Sequence, residues 1–168
     1  WYRSTSVGRF RPVALSQDLV GTHYRYPDHY VVEREKIREH AEAVKSEHPA
    51  HHDEAGAAAL GYDSLVAPPT FLCIFGYTAQ AAFFEDANIG IKDEKIVQVD
   101  QELRLLRPIR AGDKKYCDVY LDSIRRSFGA DIIVTKSLIT NDKGELVQEL
   151  LTTLAGRTAE DGEEGGFN

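Results

Sequence analysis

A chain of 168 residues, of which 42% are apolar and 28% charged, is long enough for one globular domain with its own core and too short for two. Its formal net charge of −7 and its lack of clustered lysine and arginine exclude a nucleic-acid-binding surface. No apolar run approaches the roughly 18 residues of a membrane span, and no secretory signal pattern is found, so we expect a soluble cytoplasmic protein. Cys73 and Cys117 lack metal-type spacing and are expected to be reduced thiols.

The two ends of the chain differ in composition from the part between them. Residues 1–12 read "WYRSTSVGRFRP", show weak periodicity and belong to a chain without methionine, so we expect an appended or disordered segment. Val13 is then a candidate natural start. Residues 158–168, "TAEDGEEGGFN", are acidic and glycine-rich, which predicts a disordered tail. The domain is expected over residues 13–157.

Helices are predicted in the first half of the domain. The stretch "VVEREKIREHAEAVK" places Ile37, Ala41 and Val44 on one face of an amphipathic helix. A short alanine-rich helix follows, with Asp53 as its N-cap and Gly61 as its terminating residue.

The third predicted helix lies in "APPTFLCIFGYTAQAAFFED". Pro69 suits the first helical position, because its missing N–H has no partner there in any case. Apolar residues lie on nearly every side, so this helix is expected to be buried.

From Ile96 onward the hydrophobic period changes to two. The stretch "IVQVDQELRLLRPI" predicts a half-buried strand whose apolar side is formed by Val97, Val99, Leu103 and Leu105. Further strands are predicted in "KKYCDVYLDSI", "ADIIVTKSLIT" and "ELVQELLTTLAG", with turns at "RAGD", Gly129 and "NDKG". We therefore predict an α+β domain in which an antiparallel sheet wraps a long central helix.

The segment "SEHPAHHDEAGAAALGY" contains histidines at 48, 51 and 52 beside acidic residues. A metal site is disfavoured, because the spacing matches no standard motif and His51 and His52 are adjacent and face apart. An ordinary polar loop explains His48 and His52, with Asp53 capping the next helix.

Three stretches resemble a known family. "RPIRAGDKKYCDVYLDSI", "HYRYPDHYVVEREKIREHAEAV" and "LVAPPTF" are similar to the N-terminal-type members of the MaoC-like hydratases and dehydratases. Over residues 13–157 the chain closely resembles the HadA-like subunits of mycobacterial (3R)-hydroxyacyl-acyl-carrier-protein dehydratase. The resemblance implies a single hotdog domain.

The resemblance also implies where catalytic groups would stand. Family members with activity carry an aspartate, an asparagine and a histidine that fall on Ser46, His48 and His51 of this chain. They place a glycine, whose backbone N–H polarises the thioester oxygen, at the position of Pro69. Only the histidine is kept, so His51 is either a remnant of that site or an ordinary loop residue.

These replacements have chemical consequences. Removing water from a β-hydroxyacyl thioester requires a base, an acid and a hydrogen-bond donor for the enolate oxygen. Ser46 is a poor acid or base near neutral pH, and Glu47, the neighbour of Ser46, points in another direction. Pro69 has no N–H to donate. We therefore expect little activity from this chain alone.

The resemblance implies that an acyl chain runs between the central helix and the sheet. Thr70, Cys73 and Tyr77 are then candidate substrate-binding residues, although a buried cysteine is as often a packing residue. Gln98 and Gln101 mark either the meeting point with a partner or, as we favour, plain surface.

The expected function is that of a substrate-binding subunit paired with a catalytic hotdog dehydratase subunit, acting on substrates carried by acyl carrier protein, without a cofactor or metal. The alternatives are an autonomous homodimeric enoyl-thioester hydratase that uses His51 and a non-enzymatic acyl-binding scaffold. A thioesterase is disfavoured, because the predicted central helix has no acid from Phe71 to Phe84.

Overall fold

The computed structural model describes residues 15–91, 95–158 and 165–167. Its helices and strands, in chain order, are β1 (His23–Arg25), β2 (Tyr30–Val31), α1 (Arg34–Ala43), α2 (Glu54–Ala59), α3 (Cys73–Asp86), β3 (Ile96–Leu105), β4 (Lys114–Ser127), β5 (Ala130–Thr140) and β6 (Leu146–Arg157). The predicted appended segment 1–12 and the candidate start Val13 lie outside the described residues. No helix in the described ranges is long and apolar enough to cross a membrane.

The strands form an antiparallel sheet in the order β1-β4-β5-β6-β3, with β2 paired to the beginning of β4. Short turns join the long strands, and Gly129 and Gly144 supply the positive φ angles of 74° and 76° that those turns require. The Asn141 side chain accepts hydrogen bonds from the backbone N–H groups of Lys143 and Glu145, which closes the turn before β6. The predicted α+β hotdog architecture is confirmed.

Helix α3 packs on the concave side of this sheet. Phe75 and Phe83 of α3 are buried with Leu121 and Ile133 of the sheet in one core. Gly76 allows close approach, because a Cβ there would lie 2.5 Å from a methyl carbon of Leu150. The core therefore forms where an apolar helix crosses the inward residues of β4, β5 and β6.

Two expectations about α3 are wrong. The helix begins at Cys73 and not at Pro69. Residues 69–72 form tight turns, in which Phe71 N–H donates to Pro68 O at 3.0 Å and Cys73 N–H donates to Thr70 O at 3.1 Å. The helix is also not buried on all sides, since Tyr77 is 71% exposed.

The two helices before α3 largely agree with the sequence. Ile37 and Ala41 of α1 are buried as predicted. Val44 is 47% exposed, because α1 ends at Ala43 and the chain turns at Lys45, whose φ is 57°. The predicted apolar face of α1 therefore includes one residue, Val44, that lies beyond the end of the helix.

The caps of α2 are confirmed. The Asp53 carboxylate accepts a hydrogen bond of 2.6 Å from Gly56 N–H. Gly61 has a φ of +85° just beyond the helix end.

The predicted alternation in β3 is wrong at several of its apolar positions. Val97 and Val99 are 60% and 55% exposed, and Leu105 is 41% exposed. A register shift between Gln98 and Asp100 interrupts the alternation. Leu103 alone among the predicted inward residues packs against the core.

Part of the predicted disordered tail packs against the domain. Phe167 is 4% exposed and forms a β-bridge with Ile91, and Gly166 N–H donates to Arg157 O at 2.8 Å. Gly156 permits this, because a Cβ there would lie 2.7 Å from the Phe167 ring. The expectation of disorder is wrong for residues 165–167, whereas residues 159–164 and 168 lie outside the described part.

Candidate functional site

His51 lies on a turn of 3-10 helix, Pro49–His51, in the loop between α1 and α2. Its Nδ1–H donates to Val66 O at 2.5 Å, so in the neutral ring Nε2 is the acceptor nitrogen. Val66 is fixed in turn, because its N–H donates to Ala50 O at 3.0 Å and the residue pairs with Arg110 in a β-bridge. The imidazole is therefore oriented by backbone that is itself held in place.

The other histidines of the loop have structural hydrogen bonds. His48 caps the short helix by accepting from Ala50 N–H at 3.2 Å, and its ring lies 5.6 Å from that of His51. His52 Nε2–H donates to the carbonyl oxygen of Ser46 at 2.7 Å. Ser46 thus contributes its carbonyl to loop structure, and its N–H donates to Ala41 O at 2.8 Å.

Pro69 lies in the turns that lead into α3 and is held through its carbonyl. Gln148, a fully buried residue of β6, donates its Nε2–H to Pro69 O at 2.8 Å. The Oε1 atom of Gln148 is buried without a hydrogen-bond partner among the described residues. The head of α3 is thus tied to the sheet at the position where the family resemblance expects an oxyanion donor.

The sequence did not indicate His40 as a site residue, but the structure places it in contact with Thr70. His40 of α1 and the Thr70 hydroxyl share a hydrogen bond of 2.9 Å, and the His40 ring packs edge-on against Phe71 at 5.6 Å. Burial lowers the pKa of His40, and the charges of His51 and Lys36 add to the effect. The sequence signal for this placement is that His40 lies one helical turn after Ile37, so the two side chains share a face of α1.

The predicted substrate-binding residues do not form one cluster. Thr70 contacts His40 at the head of α3, whereas Tyr77 lines a groove farther along the helix. Cys73 lies between them and is half-buried, and burial raises the pKa of its thiol. Cys117 is buried in the core, where burial raises the pKa of its thiol to about 12.

The groove lies between the second half of α3 and the edge strand β3 and has a volume of about 750 Å³. Its apolar wall includes Ala81, Phe84, Ile89, Ile91, Ile96 and Leu154. The polar side chains of the lining are Tyr77, Gln80, Glu85, Asn88 and Gln98, so the groove has the mixed lining of a ligand site. Gln98 is exposed, whereas Gln101 is partly buried by hydrogen bonds to β6.

The chemical capacity of the site is limited. His51 offers a basic nitrogen, but no hydrogen bond or ion pair joins its ring to Glu47 within the described ranges. No three His, Cys, Asp or Glu side chains converge as metal ligands among those same residues. The site contains two imidazoles, His51 and His40, and within the described ranges no hydrogen bond joins either of them to a carboxylate.

Comparisons with known proteins identify the family. The family model described as "FAS1-like, dehydratase domain region" matches residues 18–150. A UPF0336 protein of Mycobacterium tuberculosis (strain ATCC 25618 / H37Rv) is 62% identical over 156 residues, which cover 93% of this chain and 98% of that protein.

Two solved structures share both fold and sequence. One is a chain of the crystal structure of a C-terminally truncated HadBC (3R-hydroxyacyl-ACP dehydratase) complex from Mycobacterium tuberculosis. It is 48% identical with a TM-score of 0.77, and the match covers 84% of this chain and 100% of that one. The other, a MaoC-like dehydratase, is 40% identical with a TM-score of 0.78, and the match covers 85% of this chain and 43% of that one. The chain therefore belongs to the FAS1-like dehydratase domain family, the MaoC-like group of hotdog dehydratases.

Proposed function

We propose that this chain is the substrate-binding and stabilising subunit of a cytoplasmic, heterodimeric (3R)-hydroxyacyl-acyl-carrier-protein dehydratase in type II fatty-acid elongation of the mycolic-acid type. The observation that carries the proposal is the head of α3, where Pro69 stands in place of an N–H donor and Gln148 binds its carbonyl. Losing one oxyanion donor lowers the rate by about 10²–10³ in better-studied sites. The dehydration reaction is then catalysed by a partner subunit with an intact catalytic loop.

A second deficiency supports the same assignment. Ser46 occupies the position of the family's aspartate, and its carbonyl and N–H are both engaged in holding the loop. Loss of a general acid or base lowers rates by about 10²–10⁴. The proposed partner subunit supplies this aspartate and its own histidine.

The edge of the sheet offers the surface for that partner. β3 ends the sheet, so one side of its backbone has no neighbouring strand among the described elements. Val97 and Val99 expose apolar side chains on this strand, and the groove lies beside them. A second hotdog sheet paired along β3 would cover the edge and close the groove. The HadBC relative is described as a complex of a 3R-hydroxyacyl-ACP dehydratase.

One observation favours a second candidate. The Nδ1–H of His51 is engaged by Val66 O, and its Nε2 makes no hydrogen bond to the part of the chain that the structure describes. An autonomous homodimeric enoyl-thioester hydratase would use this nitrogen. The third option, a non-enzymatic acyl-binding scaffold, would need only the groove.

Co-expression with a hotdog subunit that carries the complete catalytic loop tests the proposal. The two chains are expected to purify as a complex that dehydrates a (3R)-hydroxyacyl thioester, while this chain alone is inactive. Replacing the partner's catalytic histidine by alanine should abolish the activity of the complex. Activity of this chain alone would instead establish the homodimeric hydratase, and failure to form any complex would favour the scaffold.

A further inference from the structure

Gln80 is an unusual residue for its position on α3. It is 8% exposed on the sheet-facing side of the helix, among phenylalanine and alanine side chains. Thr135 of β5, which is fully buried, donates its hydroxyl hydrogen to Gln80 Oε1 at 2.5 Å. The carboxamide is therefore held in one orientation by a hydrogen bond between helix and sheet.

The Nε2 end of the Gln80 carboxamide faces a different environment. Gln80 lines the groove between α3 and β3, and its amide nitrogen makes no hydrogen bond within residues 15–91, 95–158 and 165–167. Nor is this nitrogen among the fully buried unpaired atoms of those residues, so it remains accessible from the groove. The groove, whose lining also includes the polar residues Tyr77, Glu85, Asn88 and Gln98, thus contains an N–H donor of fixed direction at Gln80.

Gln101 shows what a purely structural glutamine looks like in this fold. Its Oε1 accepts from the Thr152 hydroxyl at 2.9 Å, as Gln80 accepts from Thr135. Its Nε2, however, donates to Leu151 O at 3.1 Å, so both ends of the amide are paired. A threonine hydroxyl binds the amide oxygen of both glutamines, but only Gln101 also has its amide nitrogen paired within the described residues.

We propose that Gln80 determines specificity by donating a hydrogen bond to an oxygen within the acyl chain, such as an ether, ketone or hydroxyl oxygen. This inference rests on the proposed acyl-binding function. A plain alkyl chain in the groove would cover the Gln80 N–H without replacing its hydrogen bond to water, which disfavours binding. A chain with an acceptor at the right depth satisfies the donor. Sites built around such a donor reject analogues that lack the acceptor far better than apolar pockets reject an extra group.

The position on the helix sets the depth of the contact. Gln80 lies seven residues after Cys73, the first residue of α3, which corresponds to about 10 Å along the axis at 1.5 Å per residue. The Pro69 turn, where a thioester would be expected, lies before the helix begins. The selected oxygen therefore belongs to the body of the acyl chain and not to its β-hydroxyl group.

Binding of hexadecanoate and of analogues in which an ether oxygen replaces successive methylenes tests the proposal. Calorimetry on the full chain, alone and co-purified with a catalytic hotdog partner, should show at least one ether position that binds about 10-fold more tightly than hexadecanoate. Gln80→Met, of similar shape but without the donor, should abolish this preference and bind hexadecanoate at least as well as the wild type. Thr135→Val should weaken the preference, because the amide loses its anchor, whereas Thr135→Ser should keep it.

Gln101→Met is the matched control, since it removes a glutamine whose amide is already paired, and it should keep the preference. Thermal unfolding of each variant confirms that it is folded. A wild-type protein that prefers no ether position, or a folded Gln80→Met variant that retains the preference, would overturn the inference. If neither hexadecanoate nor any ether binds, the acyl-binding function itself fails; if hexadecanoate binds without discrimination, only the role of Gln80 fails.

Discussion

The ring of His51 donates its Nδ1–H to the carbonyl oxygen of Val66 at 2.5 Å, across 15 residues of sequence. This hydrogen bond connects the loop after α1 to the segment that leads into α3. The histidine therefore contributes to the structure of the loop even without a catalytic partner.

Replacing His51 by alanine should affect stability more than catalysis in the heterodimer. The variant loses the hydrogen bond to Val66 O, and we expect the free energy of unfolding to fall by about 1–3 kcal/mol. Dehydration by the complex should stay close to the wild-type rate, because in the proposed heterodimer the partner performs the chemistry. Urea unfolding and steady-state kinetics measure the two effects. A loss of about 100-fold or more in the rate, which is typical of a general base, would place His51 in the reaction instead.

Restoring only one missing catalytic group should not create an enzyme. Ser46→Asp supplies a carboxylate, but Pro69 still lacks the N–H that the developing oxyanion requires. We expect hydration of a short trans-2-enoyl thioester by this variant to remain near the background rate. The double variant Ser46→Asp/Pro69→Gly should exceed it by about 10²-fold. A large gain from Ser46→Asp alone would show that the oxyanion argument is wrong.

A charge on the exposed edge strand should prevent assembly. Val97→Lys places an ammonium where the proposed partner sheet would pair, while the monomer should stay folded because this side chain is 60% exposed. Analytical size-exclusion chromatography of the co-expressed chains should then show separate subunits. Val20→Lys is the control, since Val20 is 40% exposed beside β1 at the opposite edge of the sheet. Equal assembly of both variants would rule out β3 as the interface.

The stability of the protein should decrease below about pH 6.5. Burial, with the charges of His51 and Lys36, holds the pKa of His40 below its ordinary value of 6.5. Between the lowered folded pKa and the ordinary unfolded value, the unfolded chain binds more protons, so the free energy of unfolding rises with pH in that window. The contribution of His40 to the free energy of unfolding is complete above its unfolded pKa and is lost as the pH falls towards its folded pKa.

Urea unfolding from pH 8 to pH 5 measures this slope. His40→Gln should flatten it, because the titrating group is gone. Thr70→Val, which removes the hydrogen-bond partner but leaves the ring in its surroundings, should keep most of it. The same slope in the wild type and in His40→Gln would assign the pH dependence to other groups.

The two cysteines should differ in their reactivity towards iodoacetamide. Burial raises the pKa of both thiols, to about 12 for Cys117, which has no exposed surface. Because the thiolate is the nucleophile, both should react more slowly than a free cysteine at pH 8. Mass spectrometry should find Cys73 modified slowly in the folded protein and Cys117 only after unfolding. Rapid modification of Cys117 without unfolding would indicate that the core opens locally.

Much of the fold could be predicted because the relevant signals are local. Alternation of apolar residues and the turns at Gly129 and Gly144 indicate the long strands β4, β5 and β6. The side-chain cap at Asp53 depends on atoms only three residues apart. The bulge near Val99 could not be predicted from the alternation, because the register of an edge strand depends on the strand beside it.

The candidate site was only partly predictable. The identities of Ser46 and Pro69 are visible in the sequence, and they decide that a carboxylate and an N–H are missing there. The role of His40 was missed, because its contact with Thr70 spans 30 residues and exists only when α1 packs against the head of α3. Similarly, the separation of Thr70 from the groove at Tyr77 depends on where α3 begins.

The sequence by itself therefore determined which chemical groups stand at positions 46 and 69, because a proline has no N–H and a serine no carboxylate in any fold. The tertiary structure decided which of the distant side chains meet. Gln80 and Thr135 lie 55 residues apart and meet only because α3 crosses the concave side of β5. That contact, and the groove beside the edge strand β3, arise from packing between distant segments, which no local pattern of residues records.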